Sequence, residues 1–268
     1  MTEAVRYALR GGSEGRERLR VLARVMRPTT LALFDRVGIG AGMSCLDVGC
    51  GGGDVTLDLA ARVGPSGRVV GVDVDAAKVD LARAEAAERG AANVEFRAAD
   101  LRTLADEPFD VVYARFVLSH LSDPAAAVDA FRAHLRPGGI VVVEDTDFAG
   151  YFAHPPTESF DRFVELYCAV VRGRGGDPGI GPRLPRMLAA AGLGQVGAAV
   201  VQPMGTTGEV KRVNPLTMQN VAAAVVADGL ASAAEVDRIV ADLHAFAEDP
   251  TTLAGVARVV QAWGRAPG

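Results

Sequence analysis

The chain has 268 residues, 49% of them hydrophobic, so it is long and apolar enough to bury the core of one large domain. Its formal net charge of −5 provides no basic surface for nucleic acid or an anionic membrane. No apolar run approaches the roughly 20 residues of a membrane-spanning helix. Residues 1–10 lack the apolar core of a secretion signal, and three cysteines are too few for a disulfide framework. We therefore expect a cytoplasmic protein without a nucleic-acid or membrane partner.

Residues 1–40 are predicted to form a helical leader. Apolar residues recur at helical spacing up to Pro28, which is predicted to end a first helix, and a second short helix is predicted over residues 29–37. Because this leader has no sheet of its own, we expect it to lie across a ligand mouth as a lid, with Tyr7 and Arg18 belonging to it.

Next comes a short apolar strand that ends in an acid, then alternating glycines, then an amphipathic helix. The order is Asp47-x-Gly49-x-Gly51-x-Gly53, followed by Asp54. Glycines let a backbone turn approach a ligand closely, and the unpaired N–H groups of the following helix point at that ligand. The dinucleotide fingerprint G-x-G-x-x-G fails here, since Asp54 stands at its third glycine. The two acids would repel a pyrophosphate and would favour a cationic ligand.

Acidic or basic residues also follow the next three predicted strands. Asp73 ends the second strand, Asp100 follows the third, and Arg115 follows the fourth. In open α/β sheets ligands bind outside the carboxyl ends of the strands, so these side chains and the glycine turn should converge on one cleft. A carboxylate at Asp73 can accept hydrogen bonds from both hydroxyls of a ribose.

The rest of the chain is predicted to complete the sheet and to add helices. A turn over residues 135–139, Leu-Arg-Pro-Gly-Gly, leads into a fifth strand. A helix is predicted within residues 148–182, a strand over 197–204, helices over 215–248 and a closing strand over 256–263.

The glycine stretch, residues 115–120 and the Leu-Arg-Pro-Gly-Gly turn resemble the corresponding motifs of class I S-adenosylmethionine-dependent methyltransferases. Residues 115–120 closely resemble the ubiquinone/menaquinone-biosynthesis-like group of small-molecule methyltransferases, and the resemblance is strong over residues 41–146. It implies an α/β fold, a doubly wound Rossmann-like seven-stranded sheet with a mostly helical lid or cap. The expected division is an N-terminal helical lid (1–40), a cofactor-binding half (41–147), a helical lid insertion (148–182) and the remainder of the sheet domain (183–268) with a helical cap insertion (215–249).

The resemblance implies S-adenosyl-L-methionine as cofactor and S-adenosyl-L-homocysteine as product. Asp100 would bind the adenine amino group, and Leu101 would donate a backbone N–H. The full set of implied cofactor-binding residues is Asp47, Gly49, Cys50, Gly51, Gly53, Asp73, Val74, Asp100, Leu101, Ala114 and Arg115.

Three residues are candidates for a catalytic role, and four for the acceptor pocket. The catalytic candidates are His120, His154 and Tyr7, although packing or surface roles are equally open for the histidines. The candidate pocket residues are Phe116, Tyr151, Phe152 and Arg183.

An acidic cluster of Glu144, Asp145 and Asp147 raises two further possibilities. Glu144 and Asp145, near the strand end, are further candidate bases, and the three acids together suggest a metal-assisted mechanism. The metal-dependent relatives draw one ligand from the end of the fourth strand, where this chain has Arg115, so we expect no metal.

We interpret the sequence as a methyltransferase that acts on a small, largely apolar molecule, such as a secondary metabolite, a quinone-like or an indole-like acceptor, in a closed pocket. The methylated atom stays open between C, O, N and S. The alternatives are an NAD(P)-dependent oxidoreductase and a non-catalytic, cofactor-binding partner subunit. A homodimer is compatible with the sequence.

Overall fold

The computed structural model describes residues 13–105 and 108–268, and its centre is a seven-stranded sheet. Its strands are β1 Ser44–Val48, β2 Arg68–Asp73, β3 Val94–Ala98, β4 Phe109–Arg115, β5 Leu135–Asp147, β6 Gly194–Val201 and β9 Arg258–Arg265; a separate ribbon contains β7 Met204–Gly205 and β8 Ala254–Gly255. The strand order is β3-β2-β1-β4-β5-β9-β6. The first five strands are parallel, and β9 runs antiparallel to both β5 and β6. This confirms the predicted doubly wound α/β sheet.

Helices cover both faces of the sheet, and the α-helices of the described residues are α1 Ser13–Val37, α2 Asp54–Val63, α3 Ala76–Glu88, α4 Pro124–Ala133, α5 Glu158–Gly173, α6 Leu184–Ala190, α7 Glu209–Ala227 and α8 Ala233–Glu248. Successive strand residues point to opposite faces. In β1, Cys45 packs with α2 and the second half of α1, whereas Leu46 and Val48 pack with α4 and α6. The strand order reverses between β1 and β4, and parallel sheets of this kind place ligands there.

A second group of helices has an apolar core of its own. We call α5, α7, α8 and the first half of α1 the helical layer. Phe160 and Phe163 of α5, Met218 and Val221 of α7, and Ile239 of α8 are buried against one another. None of the helices in the part of the chain described here is long and apolar enough to cross a membrane.

The structure corrects the prediction that Pro28 ends a first helix. Helix α1 runs without interruption from Ser13 to Val37. Proline lacks an N–H and therefore removes one intrahelical hydrogen bond. Phe34 and Leu33 beyond it are buried against the sheet, while Val21 before it packs against α7 and β9. Burial on both sides of Pro28 outweighs the local break.

The bounds of the last elements also differ from the prediction. Strand β6 begins at Gly194 and ends at Val201, because its pairing with β9 starts at Arg265. The register shifts between Gly194 and Gly197, and Gln195 there has a φ of 49°. The bulge lengthens the strand toward its start, which a count of alternating apolar residues does not detect.

Candidate functional site

The turn between β1 and α2 leaves open space above its backbone. Gly49 and Gly51 have φ values of 68° and 53°, in the left-handed region that favours glycine. A Cβ on Gly49 would lie 2.5 Å from Cγ2 of Val117, whereas for a Cβ on Gly51 the nearest atom is Cδ1 of Leu19 at 3.7 Å. A bare Gly49 therefore lets the chain after β4 pack against the turn, and Gly51 can accept a ligand above it.

Gly53 and Cys50 differ in where they face. A Cβ on Gly53 would lie 2.7 Å from Cζ of Phe96 and 3.0 Å from Cβ of Ala82, so this glycine is required by packing against the protein interior. Cys50 lines the cavity, and burial raises the pKa of its thiol. Because the thiol stays protonated, Cys50 contributes shape rather than reactivity.

Asp73 lies at the end of β2 and braces the glycine turn. Its Oδ2 accepts the backbone N–H of Gly51 at 3.0 Å, and its Oδ1 accepts that of Asp75 at 2.9 Å. A carboxylate has about four acceptor positions, so both oxygens can still accept further hydrogen bonds. Asp73 also lines the cavity, and this arrangement fits two hydroxyls of a ribose.

Asp47 is a buried carboxylate at the floor of the same cavity. It accepts one hydrogen bond, from Oγ1 of Thr56 at 2.6 Å. Burial raises the pKa of Asp47 to about 7, and the hydrogen bond from Thr56 and the charge of Arg115 oppose that shift only in part. A cationic ligand would favour the ionised form of Asp47, so the residue suits the positive groups of S-adenosylmethionine.

The chain turns sharply after β4. Phe116 has a φ of 57° and donates its N–H to the Glu144 carbonyl at 2.8 Å. The Arg115 guanidinium donates to Oγ1 of Thr30 at 3.1 Å and lies 5.7 Å from the centroid of the Phe116 ring. Arg115 and Phe116 line the cavity, as predicted for cofactor and acceptor residues, whereas Ala114 is buried within the strand.

Three residues predicted to bind the cofactor lie outside the cavity lining, namely Val74, Asp100 and Leu101. The Asp100 carboxylate accepts the Nε–H of Arg102 at 3.0 Å, and Asp100 caps the short turn that begins at Leu101. The carbonyl of Leu101 lies 3.1 Å from Nε2 of His134, and Val74 is 52% exposed. The cofactor contacts of these three residues therefore stay predictions.

Glu144, a member of the acidic cluster, is fully buried, and its hydrogen bonds join elements of the fold. Its carboxylate accepts from the Tyr113 hydroxyl at 2.5 Å, from Oγ1 of Thr30 at 2.8 Å and from Nε2 of Gln261 at 2.8 Å. These donors join β4, α1 and β9 to β5. Because three donors engage it, Glu144 holds α1 to the sheet and is not available as the base considered from the sequence.

Asp145 and Asp147 are engaged separately. Asp145 accepts the backbone N–H of Ser119 at 3.0 Å, which fixes the turn after β4. Asp147 pairs with Nε of Arg258 at 2.9 Å. Within residues 13–105 and 108–268, no three His, Cys, Asp or Glu side chains come together as a metal site requires.

Arg16 of α1 holds the helical layer onto the glycine turn. Its guanidinium pairs with Asp54 at the start of α2 and with Glu85 of α3. A Cβ on Gly52 would lie 2.5 Å from Cζ of Arg16, so the arginine covers the turn directly. Sequence reasoning missed Arg16, because its partners lie 38 and 69 residues away along the chain.

The glycine turn and the helical layer enclose one cavity of about 150 Å³. The side chains that the helical layer and the chain after β5 contribute are mainly apolar or aromatic and include Leu22, Phe148, Tyr151, Phe163, Tyr167 and Val213. Asp47, Asp73 and the glycines form the opposite side. A polar floor with an apolar cover suits a cofactor below and a small acceptor above.

His120 is the catalytic candidate that the structure places at the cavity. Burial, together with the charges of Arg18 and Lys78, lowers the pKa of its imidazole to about 4. His120 is therefore neutral at pH 7, and it is a weak proton acceptor.

Of the other two catalytic candidates, His154 is not brought to the cavity. His154 is exposed, because its backbone pairs with Leu253 at the surface and leaves the ring in solvent. Tyr7 lies outside the described residues. Of the candidate pocket residues, Tyr151 lines the cavity, and its hydroxyl lies 2.9 Å from the carbonyl of Gly255.

Phe152 and Arg183 are also placed away from the cavity. Phe152 is 47% exposed. The Arg183 guanidinium lies 2.8 Å from Asp177, in an exposed ion pair that stabilises the loop before α6. The cavity is lined instead by Phe163, Tyr167 and Thr217. The sequence signals Phe163 and Tyr167 only as core positions of a helix.

Sequence comparison with known proteins finds relatives that match part of the chain. A methyltransferase domain family matches residues 39–174. A demethylmenaquinone methyltransferase of Lactococcus lactis is 35% identical over 134 residues, which are 49% of this chain and 51% of that protein. A nocamycin O-methyltransferase of Saccharothrix syringae is 41% identical over 42% of this chain and 41% of that protein. The matched region thus spans about half of these relatives or less.

Similarity of structure extends further than similarity of sequence. A phosphoethanolamine N-methyltransferase of Haemonchus contortus, solved with phosphomonomethylethanolamine and S-adenosylhomocysteine, aligns with a TM-score of 0.59 at 17% identity. The alignment covers 94% of this chain and 58% of that protein, and it shows a common fold. With the glycine turn, the strand order and the matched family in agreement, this chain belongs to the methyltransferase domain family, as a class I S-adenosylmethionine-dependent member.

Proposed function

We propose that this protein transfers the methyl group of S-adenosylmethionine to a small, largely apolar acceptor. The observation that carries the proposal is the cavity between the glycine turn and the helical layer. Its polar floor contains Asp47 and Asp73, and its cover is aromatic. The relatives named above for demethylmenaquinone and nocamycin support an acceptor of small-molecule size.

The cover is proposed to act as a lid made of separate segments. Leu22 of α1, Phe163 of α5 and Val213 of α7 contribute to it, and the first two lie in the expected lid regions 1–40 and 148–182. Such a cover excludes water from the reacting groups. Exclusion of water matters here because the cofactor supplies a methyl group on a positively charged sulfonium, and that charge disappears on transfer.

The residues of the cavity favour catalysis by positioning. Asp73 and the glycine turn orient the cofactor, and the aromatic cover orients the acceptor in line with it. Such orientation of two reactants lowers the activation barrier by several kcal/mol. His120 is neutral at pH 7 and is proposed to orient the acceptor through a hydrogen bond. Replacement of His120 by Asn should retain most of the turnover; a loss above about a hundredfold would assign it the role of base.

The proposal is tested by incubating the protein with deuterium-labelled methyl donor and a panel of quinol, phenol and indole compounds, with mass detection of methylated products. Phe163→Ala should change which acceptors react, because Phe163 lines the cavity. Phe160→Ala is the matched control, since Phe160 lies on the same helix, is equally buried, and does not line the cavity.

Labelled product in the wild type supports the proposal, and equal acceptor profiles for the two variants would contradict the assignment of the pocket. No product from any compound, despite cofactor binding, would favour the non-catalytic partner subunit. The cytoplasmic location and the homodimer stay predictions.

A further inference from the structure

Arg18 is a buried cation that faces the cavity without a carboxylate to balance it. Only 8% of the residue is exposed, and it lies on the inner side of α1. Its Nε donates to Oγ1 of Thr217 at 3.2 Å. Among the described residues, no carboxylate lies within ion-pair distance of Arg18, and the other guanidinium nitrogens have no acceptor.

The surroundings of Arg18 are neutral groups. The ionisable side chains that interact with Arg18 electrostatically are the phenols of Tyr167 and Tyr151 and the imidazole of His120. Burial raises the pKa of Tyr167 to about 12, and it raises that of Tyr151 as well, so both phenols are uncharged at pH 7. His120 is neutral too. An arginine does not lose its proton in proteins, so a full positive charge sits in this pocket.

Arg16 provides the comparison within the same helix. It is as buried as Arg18, with 6% exposed, and it is paired with Asp54 and Glu85. The protein therefore supplies two carboxylates to one buried arginine of α1 and none to the other. A buried charge without a partner is costly to stability, which argues that a ligand supplies the missing anion.

We propose that Arg18 binds a carboxylate of the acceptor, so that the substrate is an acid with an apolar body. This inference rests on the proposed function and narrows its substrate class. The planar guanidinium has N–H groups spaced to bind both oxygens of a carboxylate. The neighbours of Arg18 belong to the acceptor side, since Thr217 lies on α7, Tyr167 on α5 and Tyr151 in the chain between β5 and α5.

The carboxylate of the cofactor's amino-acid part is a second source of the same chemistry. A different cation is available for it: Arg115 lies at the end of β4, next to the glycine turn, and lines the same cavity. The experiment below separates the two sources.

The first experiment measures binding to protein saturated with S-adenosylhomocysteine. The probes are matched pairs of an aromatic acid and its amide, such as indole-3-acetate with indole-3-acetamide and 4-hydroxybenzoate with 4-hydroxybenzamide. Wild type should bind at least one acid roughly tenfold or more tightly than its amide, as expected for a buried charged hydrogen bond. Arg18→Met should abolish this preference, Arg18→Lys should retain part of it, and Arg24→Met, at an exposed ion pair on the same helix, should leave it unchanged.

Equal binding of acids and amides to the loaded wild type, or binding of neither, would overturn the inference. Failure of S-adenosylhomocysteine to bind the wild type would instead overturn the proposed function. A second arm compares S-adenosylhomocysteine with methylthioadenosine, which lacks the amino-acid part. If Arg18→Met weakens the first ligand and not the second, Arg18 binds the cofactor carboxylate and the acceptor assignment is wrong.

A third measurement separates ligand binding from a structural role. In the ligand-free protein, Arg18→Met should unfold at the same or a higher urea concentration than wild type, because it removes an unbalanced charge. Arg16→Met should unfold at a lower concentration, since it leaves Asp54 without its arginine and removes one of the arginines that pair with Glu85. Destabilisation of Arg18→Met as large as that of Arg16→Met would contradict the proposal.

Discussion

Asp47 couples cofactor binding to pH, and replacing it with asparagine isolates that effect. The side chain is 2% exposed, and Asn keeps an oxygen that can accept from Thr56. The pKa of Asp47 rises from 3.8 to about 7 in the folded protein, mainly because of burial. The hydrogen bond from Thr56 and the charge of Arg115 oppose this rise, while Asp73 and Asp54 contribute to it. The variant removes the charge and keeps the shape.

The magnitude follows from the two pKa values. The unfolded chain loses the proton near pH 3.8 and the folded protein near 7, so the stability contributed by this group is complete below pH 3.8 and falls until the pH reaches about 7. A difference of about 3 in pKa corresponds to about 4 kcal/mol, of which about 2 to 3 kcal/mol is lost between pH 5 and pH 8. Asn does not ionise and escapes this loss.

Urea unfolding at pH 5 and at pH 8 measures the effect. The free energy of unfolding of Asp47→Asn, relative to wild type, should be higher at pH 8 than at pH 5 by about 2 to 3 kcal/mol. Asp80→Asn, an exposed residue with the same change of charge, should show little difference between the two pH values. If the free energy of unfolding of Asp47→Asn differs from that of wild type by the same amount at both pH values, the pKa of Asp47 is not raised by burial.

Raising the pH should strengthen cofactor binding, whereas it lowers the folding stability that Asp47 contributes. A cationic ligand favours ionised Asp47, so wild type should bind S-adenosylmethionine more tightly at pH 8 than at pH 6 and should release a proton on binding near pH 6. Calorimetry in two buffers of different ionisation enthalpy detects that proton. Equal affinities, or a variant that keeps the pH dependence, would show that Asp47 does not sense the ligand.

Two further predictions concern packing. Gly49→Ala should lower stability by about 2 to 4 kcal/mol and abolish S-adenosylhomocysteine binding, since its Cβ meets Val117 and its φ is left-handed. The control Gly38→Ala has a similar φ but open space around its Cβ, so it should cost about 1 to 2 kcal/mol. Equal losses of stability for the two variants in urea unfolding would exclude crowding as the cause. Glu144→Ala leaves three buried donors unpaired and should cost about 3 to 5 kcal/mol in the same assay, whereas a cost below about 1 kcal/mol would show that the donors find other partners.

The cofactor side of the site was largely predictable from the sequence, since it depends on short-range patterns. The spacing of Gly49 and Gly51 behind Asp47 predicts a tight turn, because its conformation depends on residues that are close together in the sequence. Asp73 follows from its position at the end of a strand, because parallel strands bring their carboxyl ends together. These residues line the cavity as expected.

The acceptor side could not be predicted because it depends on contacts between distant segments. Arg18 and Thr217 are 199 residues apart, and no periodicity links them. Helix α1 continues through Pro28 because of burial on both sides, which local propensity does not register. Asp100 was predicted from its place after the third strand, and in the structure Arg102, two residues away, engages its carboxylate.

The proposed function requires that the cavity over the glycine turn bind S-adenosylmethionine, and calorimetric titration with S-adenosylhomocysteine measures this binding. Wild type should bind it, NADH in a parallel titration should not bind, and Asp73→Asn should weaken binding by roughly tenfold to a hundredfold through loss of charged hydrogen bonds. Asp75→Asn, which alters the neighbouring cap of α3, should bind like wild type. Binding of NADH instead, or equal binding by Asp73→Asn and wild type, would contradict the account.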